Sequence, residues 1–255
     1  MDQNIPYFVR EGERYVPTEA SGGYWTPTSL NGRLIVGLTG YEIDRVHGDV
    51  DWLPARLTVD MFKLPQLEPI EIRTRIVRSG GRLRLVEADF LSGGDAMARA
   101  SCQFLRRTAP PPGTYWPTPD WQVPPPSEVP MREDAKAHWD MRPIGSGIGT
   151  PWPRRVWLRE IRELVGGIPL SPFARVAAAA DFSSPLTNSG ADTIGYINSD
   201  VTLYLHRLPV GDWVGAEAAY HQSANGIANG TSWLHDEQGP IGSSTVAAIS
   251  QMRRS

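Results

Sequence analysis

Two stretches of this chain read alike at a constant offset of 144 (201 − 57 and 209 − 65): Leu57-Thr-Val-Asp-Met-Phe-Lys-Leu-Pro65 and Val201-Thr-Leu-Tyr-Leu-His-Arg-Leu-Pro209. In the second, Val201, Leu203 and Leu205 alternate with Thr202, Tyr204 and His206. That is the period of a strand with one face on a core. Proline lacks the ladder N–H, so Leu208-Pro209 ends it. The match continues without a gap: Ile76-Val77 falls on Tyr220-His221, Gly80-Gly81 on Ala224-Asn225, and Phe90-Leu91 on Leu234-His235. Turns at Gly93-Gly94 and Gln238-Gly239 then precede a last strand. Such a repeat constrains the fold more than any single motif, because each half must build the same unit. At 255 residues the chain also has the size at which one core tends to split into two.

A net charge of −3 leaves no strong field for nucleic acid or a membrane surface, so neither is expected as a partner. The single cysteine, Cys102, excludes an internal disulfide and a cysteine-ligated zinc site; its pattern with Ala100 and Phe104 reads as buried filler. The N-terminal MDQNIPYFVREGERY has no apolar signal-type core, and no run approaches a membrane span, so a cytoplasmic location is expected.

In chain order, residues 1–25 read as an opening strand and loop. Ser29 is expected to cap a helix with the apolar stripe Leu34, Ile35, Leu38, Tyr41, Ile43 and Val46, ended by His47-Gly48-Asp49. Gly32, Gly37 and Gly40 lie along it and suggest close approach of sheet or ligand to its backbone. Four meandering strands follow: Ala55–Phe62, Ile70–Arg78, Arg82–Leu91 and Ala96–Arg106. Residues 109–155 read as a proline- and tryptophan-rich linker, extended along the protein surface, with a short helix at Ala135–Trp139. In the second unit Ser171-Pro172 opens a helix that Pro185 ends, and strands Tyr196–Arg207, Trp213–Gln222, Ile227–His235 and Ile241–Ile249 follow. The expected domains are 1–108 and 156–255, joined by the linker.

Helix, LTVDMFKLP with its meander, a second helix with an embedded Asp181, then INSDVTLYLHR and Pro209-x-Gly211-x-Trp213 together resemble the double-hotdog acyl-CoA thioesterases of the thioesterase II type. The resemblance covers both halves and is most specific at residues 171–215. It implies an α+β fold of two tandem hotdogs with continuous sheets, and a fatty-acyl-CoA bound in the crevice between them. It further implies hydrolysis without metal or cofactor, and a homodimer or larger homo-oligomer.

The family's catalytic set is an Asp on the second helix, a polar residue on the following strand and a Gln on the last strand. Carried over, these fall on Asp181, Asn198 and Ala247. Alanine cannot hold a water, so Thr245, which shares strand parity with position 247, is the expected substitute. Oxyanion donors are expected at Asn31-Gly32, where a helix N-terminus is positive.

Asp181 follows four alanines and precedes Phe182, a setting that raises a carboxylate's pKa by desolvation. The residues alone leave open a solvent-facing helix carboxylate. No HExxH or paired CxxC spacing is present, and Ser243-Ser244-Thr245 lacks the context of a nucleophile elbow. The alternative function is a non-catalytic acyl-CoA or lipid-binding module, which Ala247 favours.

Overall fold

The computed structural model describes residues 5–23, 26, 28–119, 121–133, 139–145 and 147–251. The first unit opens with β1 (Phe8–Glu11) and β2 (Arg14–Pro17), followed by helix α1 (Gly32–His47). Strands β3 (Trp52–Met61), β4 (Ile70–Ser79), β5 (Leu83–Ser92) and β6 (Asp95–Arg106) complete it. The second unit repeats the plan with β7 (Trp139–Ile144), β8 (Arg155–Glu160), helices α2 (Pro172–Ala180) and α3 (Ser183–Asn188), and a short β9 (Tyr196–Asn198). Strands β10 (Asp200–Leu205), β11 (Trp213–Ala224), β12 (Ile227–Asp236) and β13 (Gly239–Ser250) end it. The bounds of β5 and β6 recur at the repeat offset in β12 and β13 (83 to 227, 92 to 236, 95 to 239, 106 to 250).

All these strands join one antiparallel sheet in the order β1-β2-β4-β5-β6-β3-β10-β13-β12-β11-β8-β7, with β9 added to β13. The two repeat segments meet at its centre, where Thr58 pairs with Thr202 and their hydroxyls lie 3.2 Å apart. These two residues are repeat counterparts, so the axis relating the halves passes between them. The alternation read in β10 holds: Val201, Leu203 and Leu205 are buried on the helix side, whereas Tyr204 is exposed.

The helices pack on each other through small residues. A Cβ at Gly37 would lie 2.9 Å from that of Ala178, and one at Gly40 would lie 2.8 Å from that of Ala177. The close approach expected of these glycines is therefore to the partner helix, and it explains why Ala177–Ala180 are all buried alanines. Cys102 is fully buried, and burial pushes its thiol pKa well up, as befits filler rather than a nucleophile.

Four local expectations need correction. Asn31, not Ser29, caps α1; Ser29 is held instead in a bridge to Gln66. Pro185 does not end the second helix. The helix breaks at Asp181-Phe182, and Pro185 sits in the first turn of α3, where a missing N–H leaves no bond unmade. Inside the expected linker, Trp139–Ile144 forms β7 against β8; the rest of the helix expected at Ala135–Trp139 lies outside the described residues. Finally, Tyr196–Arg207 is two strands broken at Ser199 rather than one. Part of the linker does lie on the protein: Trp121 stacks on His235 at 4.4 Å and packs on Trp157 and Gly215, although Trp116 is 89% exposed.

Candidate functional site

The break at Ser199 is what builds the site. Ser199 takes its N–H to the Ala247 carbonyl on β13 and gives its own carbonyl to Met61 on β3. The register against β13 steps by one residue, from Thr202↔Thr245 to Asn198↔Ala248. By strict alternation from Leu205, Asn198 would point outward. The step turns it inward, opposite buried Ala248. There its amide donates to Asp181 Oδ1 at 2.9 Å and to the Asp200 carbonyl at 3.4 Å.

Asp181 caps the C-terminus of α2, beneath the N-terminus of α1. A Cβ on Gly32 would lie 3.5 Å from Asp181 Oδ2, in ordinary contact, so the start of α1 lies close to the carboxylate. Burial pushes the Asp181 pKa above the usual carboxylate range; the Asn198 hydrogen bond and the charge of Arg33 pull the other way. The Asn31 side chain accepts from the Arg33 N–H at 3.3 Å, and the Asn31 N–H donates to the Ser21 carbonyl. Of the expected pair of backbone donors, Asn31 is thus already engaged, whereas Gly32, as the first residue of α1, has no carbonyl to reach within the helix.

Asn31, Gly32, Arg33, Asp181 and Asn198 all border one crevice of about 610 Å³. Ile35, Trp139, Met141, Phe182 and Ile197 supply its apolar walls, and Lys63, Arg132 and Asp192 also border it. Sequence reasoning missed Arg33. Its guanidinium is buried in an ion pair with Glu160 at the end of β8 and donates to the Tyr7 hydroxyl at 2.5 Å. It is sandwiched between the rings of Tyr7 and Trp139, 4.8 and 4.2 Å from their centroids. An arginine inside the apolar start of a helix was the available signal, since a buried charge needs a partner.

Thr245 does not join this group. It lies on the outer face of the sheet in a cross-strand row Thr58–Thr202–Thr245–Thr231, with its hydroxyl 3.0 Å from that of Thr231. Ala247, of the same parity, is exposed there too, its N–H bound to Asp200 Oδ1 at 2.7 Å. The last-strand residue that faces Asn198 is Ala248, so the inward position is also an alanine. Thr245→Val should therefore leave turnover within about twofold of wild type and stability within about 0.5 kcal/mol, as for most surface substitutions; paired kinetic and thermal-melt measurements check this.

The repeat also explains why the site exists once. The first unit has the same register step, between Pro54 and Arg56, with Pro54 opposite Phe104. Those two positions are the offset counterparts of Asn198 and Ala248 (198 − 144 and 248 − 144). Proline has no side-chain amide, and Phe104 is a fully buried ring. A carboxylate persists there: Asp44 of α1 borders a hollow shared with Pro54 and Phe104. Among the described residues, the second unit alone sets an amide beside its acid.

The sequence model of the acyl-CoA thioesterase C-terminal domain family matches residues 107–249. A search of curated proteins finds no match. Among solved structures, a hot dog fold protein of unknown function from Alicyclobacillus acidocaldarius superposes with a TM-score of 0.73 at 16% identity, covering 96% of each chain. The tesB protein of Mycobacterium avium subspecies paratuberculosis gives 0.69 at 15% identity, over 96% of each chain. Acyl-CoA thioesterase II TesB2 of Mycobacterium marinum gives 0.66 at 14%, covering 96% of this chain and 95% of its own. The fold is thus a double hotdog.

Proposed function

Because the chain belongs to the acyl-CoA thioesterase C-terminal domain family, we propose that it hydrolyses fatty-acyl or related acyl-CoA thioesters through a water held by Asp181. The observation that carries this reading is the half-buried pair of Asp181 and Asn198, hydrogen-bonded at 2.9 Å in a largely apolar crevice that the start of a 16-residue helix also borders. Asn198 fixes one carboxylate oxygen, leaving the other toward Gly32 and the crevice. A water between them gives its proton to Asp181 as its oxygen attacks the thioester carbon. The carbonyl oxygen, gaining charge, takes the Gly32 N–H at the positive helix end. The C–S bond then breaks, and the proton on Asp181 passes to the leaving thiolate, giving a free acid and a free thiol. The exposed Lys63 beside the crevice suits the phosphates of the carrier.

Release of free CoA from a panel of acyl-CoAs, short to long and aromatic, tests the reading. Saturable binding without release would favour the binding-module alternative, which the alanine at position 248 supports. Asn198→Leu should lower kcat about 10–100-fold with a smaller change in KM, because it removes the group that aims the carboxylate rather than the carboxylate itself. A loss confined to KM would put Asn198 in ground-state binding instead.

A further inference from the structure

We propose that the buried Arg33–Glu160 pair is an electrostatic positioning device for Asp181, with its guanidinium end turned to the crevice to keep the base ionised and Glu160 behind it setting the strength of that pull. This rests on the reading of Asp181 as the base.

The pair is directional. Arg33 borders the crevice and Glu160 does not. Arg33 follows Gly32, on which a Cβ would lie 3.5 Å from the Asp181 carboxylate, whereas Glu160 comes from the end of β8, paired with Trp139. Both side chains are buried, 4% and 8% exposed, so water screens neither charge. The Tyr7 hydroxyl and the rings of Tyr7 and Trp139 hold the guanidinium, so the charge cannot swing away. Tyr7 directly precedes β1 and Trp139 opens β7, and these two strands form the outer edges of the sheet. Both units thus converge on one arginine.

The polar groups near Asp181 give the device something to act against. From α1 come Gly32 and Arg33; from β9 comes Asn198, whose amide also reaches the Asp200 carbonyl. Lys63, Arg132 and Asp192 border the same crevice, with Lys63 turned to Asp95 at 3.7 Å. Burial raises the Asp181 pKa, and the charge of Arg33, beside the Asn198 hydrogen bond, opposes it. A carboxylate kept neutral by burial could not take a proton from water, so an internal cation answers a need the apolar walls create.

Glu160→Gln keeps a hydrogen-bond acceptor for Arg33 and removes the opposing charge. The acid limb of kcat/KM, which reports the free enzyme's base, should move down by ~1 pH unit. The double variant Arg33→Gln/Glu160→Gln removes both charges without stranding either, and its limb should move up. A second reading needs no turnover: the pH dependence of the melting temperature, compared with Asp181→Asn in each background, titrates Asp181 directly and should shift in the same two directions. If both variants fold and neither titration moves, the pair is only a structural clamp and the proposal fails. If the thermal titration moves but the acid limb survives in Asp181→Asn, Asp181 is not the base; the field of Arg33 stands and the catalytic reading falls.

Discussion

Asp181→Asn is expected to lower kcat by about 10²–10⁴-fold, the range supplied by a positioned general base, and at the same time to raise the melting temperature at neutral pH. The two effects have one cause. Burial raises the Asp181 pKa, so the fold favours the protonated acid over the carboxylate. A group whose pKa is raised on folding contributes stability that is present below its unfolded value and lost as pH rises through its folded value. Above the unfolded value the wild type therefore loses stability, because the fold holds a carboxyl it would rather keep protonated. Asparagine has the same shape and no charge, and its amide oxygen can still accept from Asn198. The stability gap between variant and wild type should open from about pH 4, near the unfolded carboxylate pKa, and widen until Asp181 is ionised. Thermal melts across that range, beside CoA-release kinetics, test both halves. A variant that melts lower at pH 7, or that turns over normally, would remove Asp181 from the role given to it.

Much of this could be read from the chain because a repeat leaves its offset everywhere. The value 144 taken from two short segments also gives the bounds of β12 and β13 and the residues on the pseudo-two-fold. Asp181 and Asn198 were named through the resemblance, to which the alanine run before Asp181 added a local sign of burial, and the structure brings the two within hydrogen-bond distance. Thr245 was misplaced for a physical reason: side-chain parity runs only as far as a strand is regular, and the step at Ser199 resets it. The same step sets Ala248, not Ala247, opposite Asn198. Arg33 and Glu160 stand 127 residues apart, and no local pattern announces a pair made by two units closing on each other. The break between α2 and α3 was hidden because proline reads as a stop wherever it falls, yet in a first turn it stops nothing.

Gly40→Leu should be the most damaging single change outside the crevice. Leucine is a strong helix former, so propensity alone would favour the variant by roughly 1 kcal/mol; a loss of stability therefore reports packing. Even a bare Cβ at Gly40 would come to 2.8 Å from the Ala177 Cβ, with Leu57 and Phe173 each 3.8 Å away. Backbone cannot yield there, because Gly37 and Ala178 are as tight one turn along. The helices must move apart, and overpacking of this kind costs about 1–3 kcal/mol or more. Activity should fall further than stability does. Gly32 and Arg33 ride on α1, Asp181 rides on α2, and a misplacement of ~1 Å between reacting groups can cost about 10²-fold. Size, not glycine as such, is the variable, so Gly40→Ala paired with Ala177→Gly should recover most of what Gly40→Ala alone loses. A double-mutant cycle on melting temperature and kcat measures that recovery. If Gly40→Leu melts and turns over as wild type does, the contact between the two helices is not what sets Asp181 beneath α1.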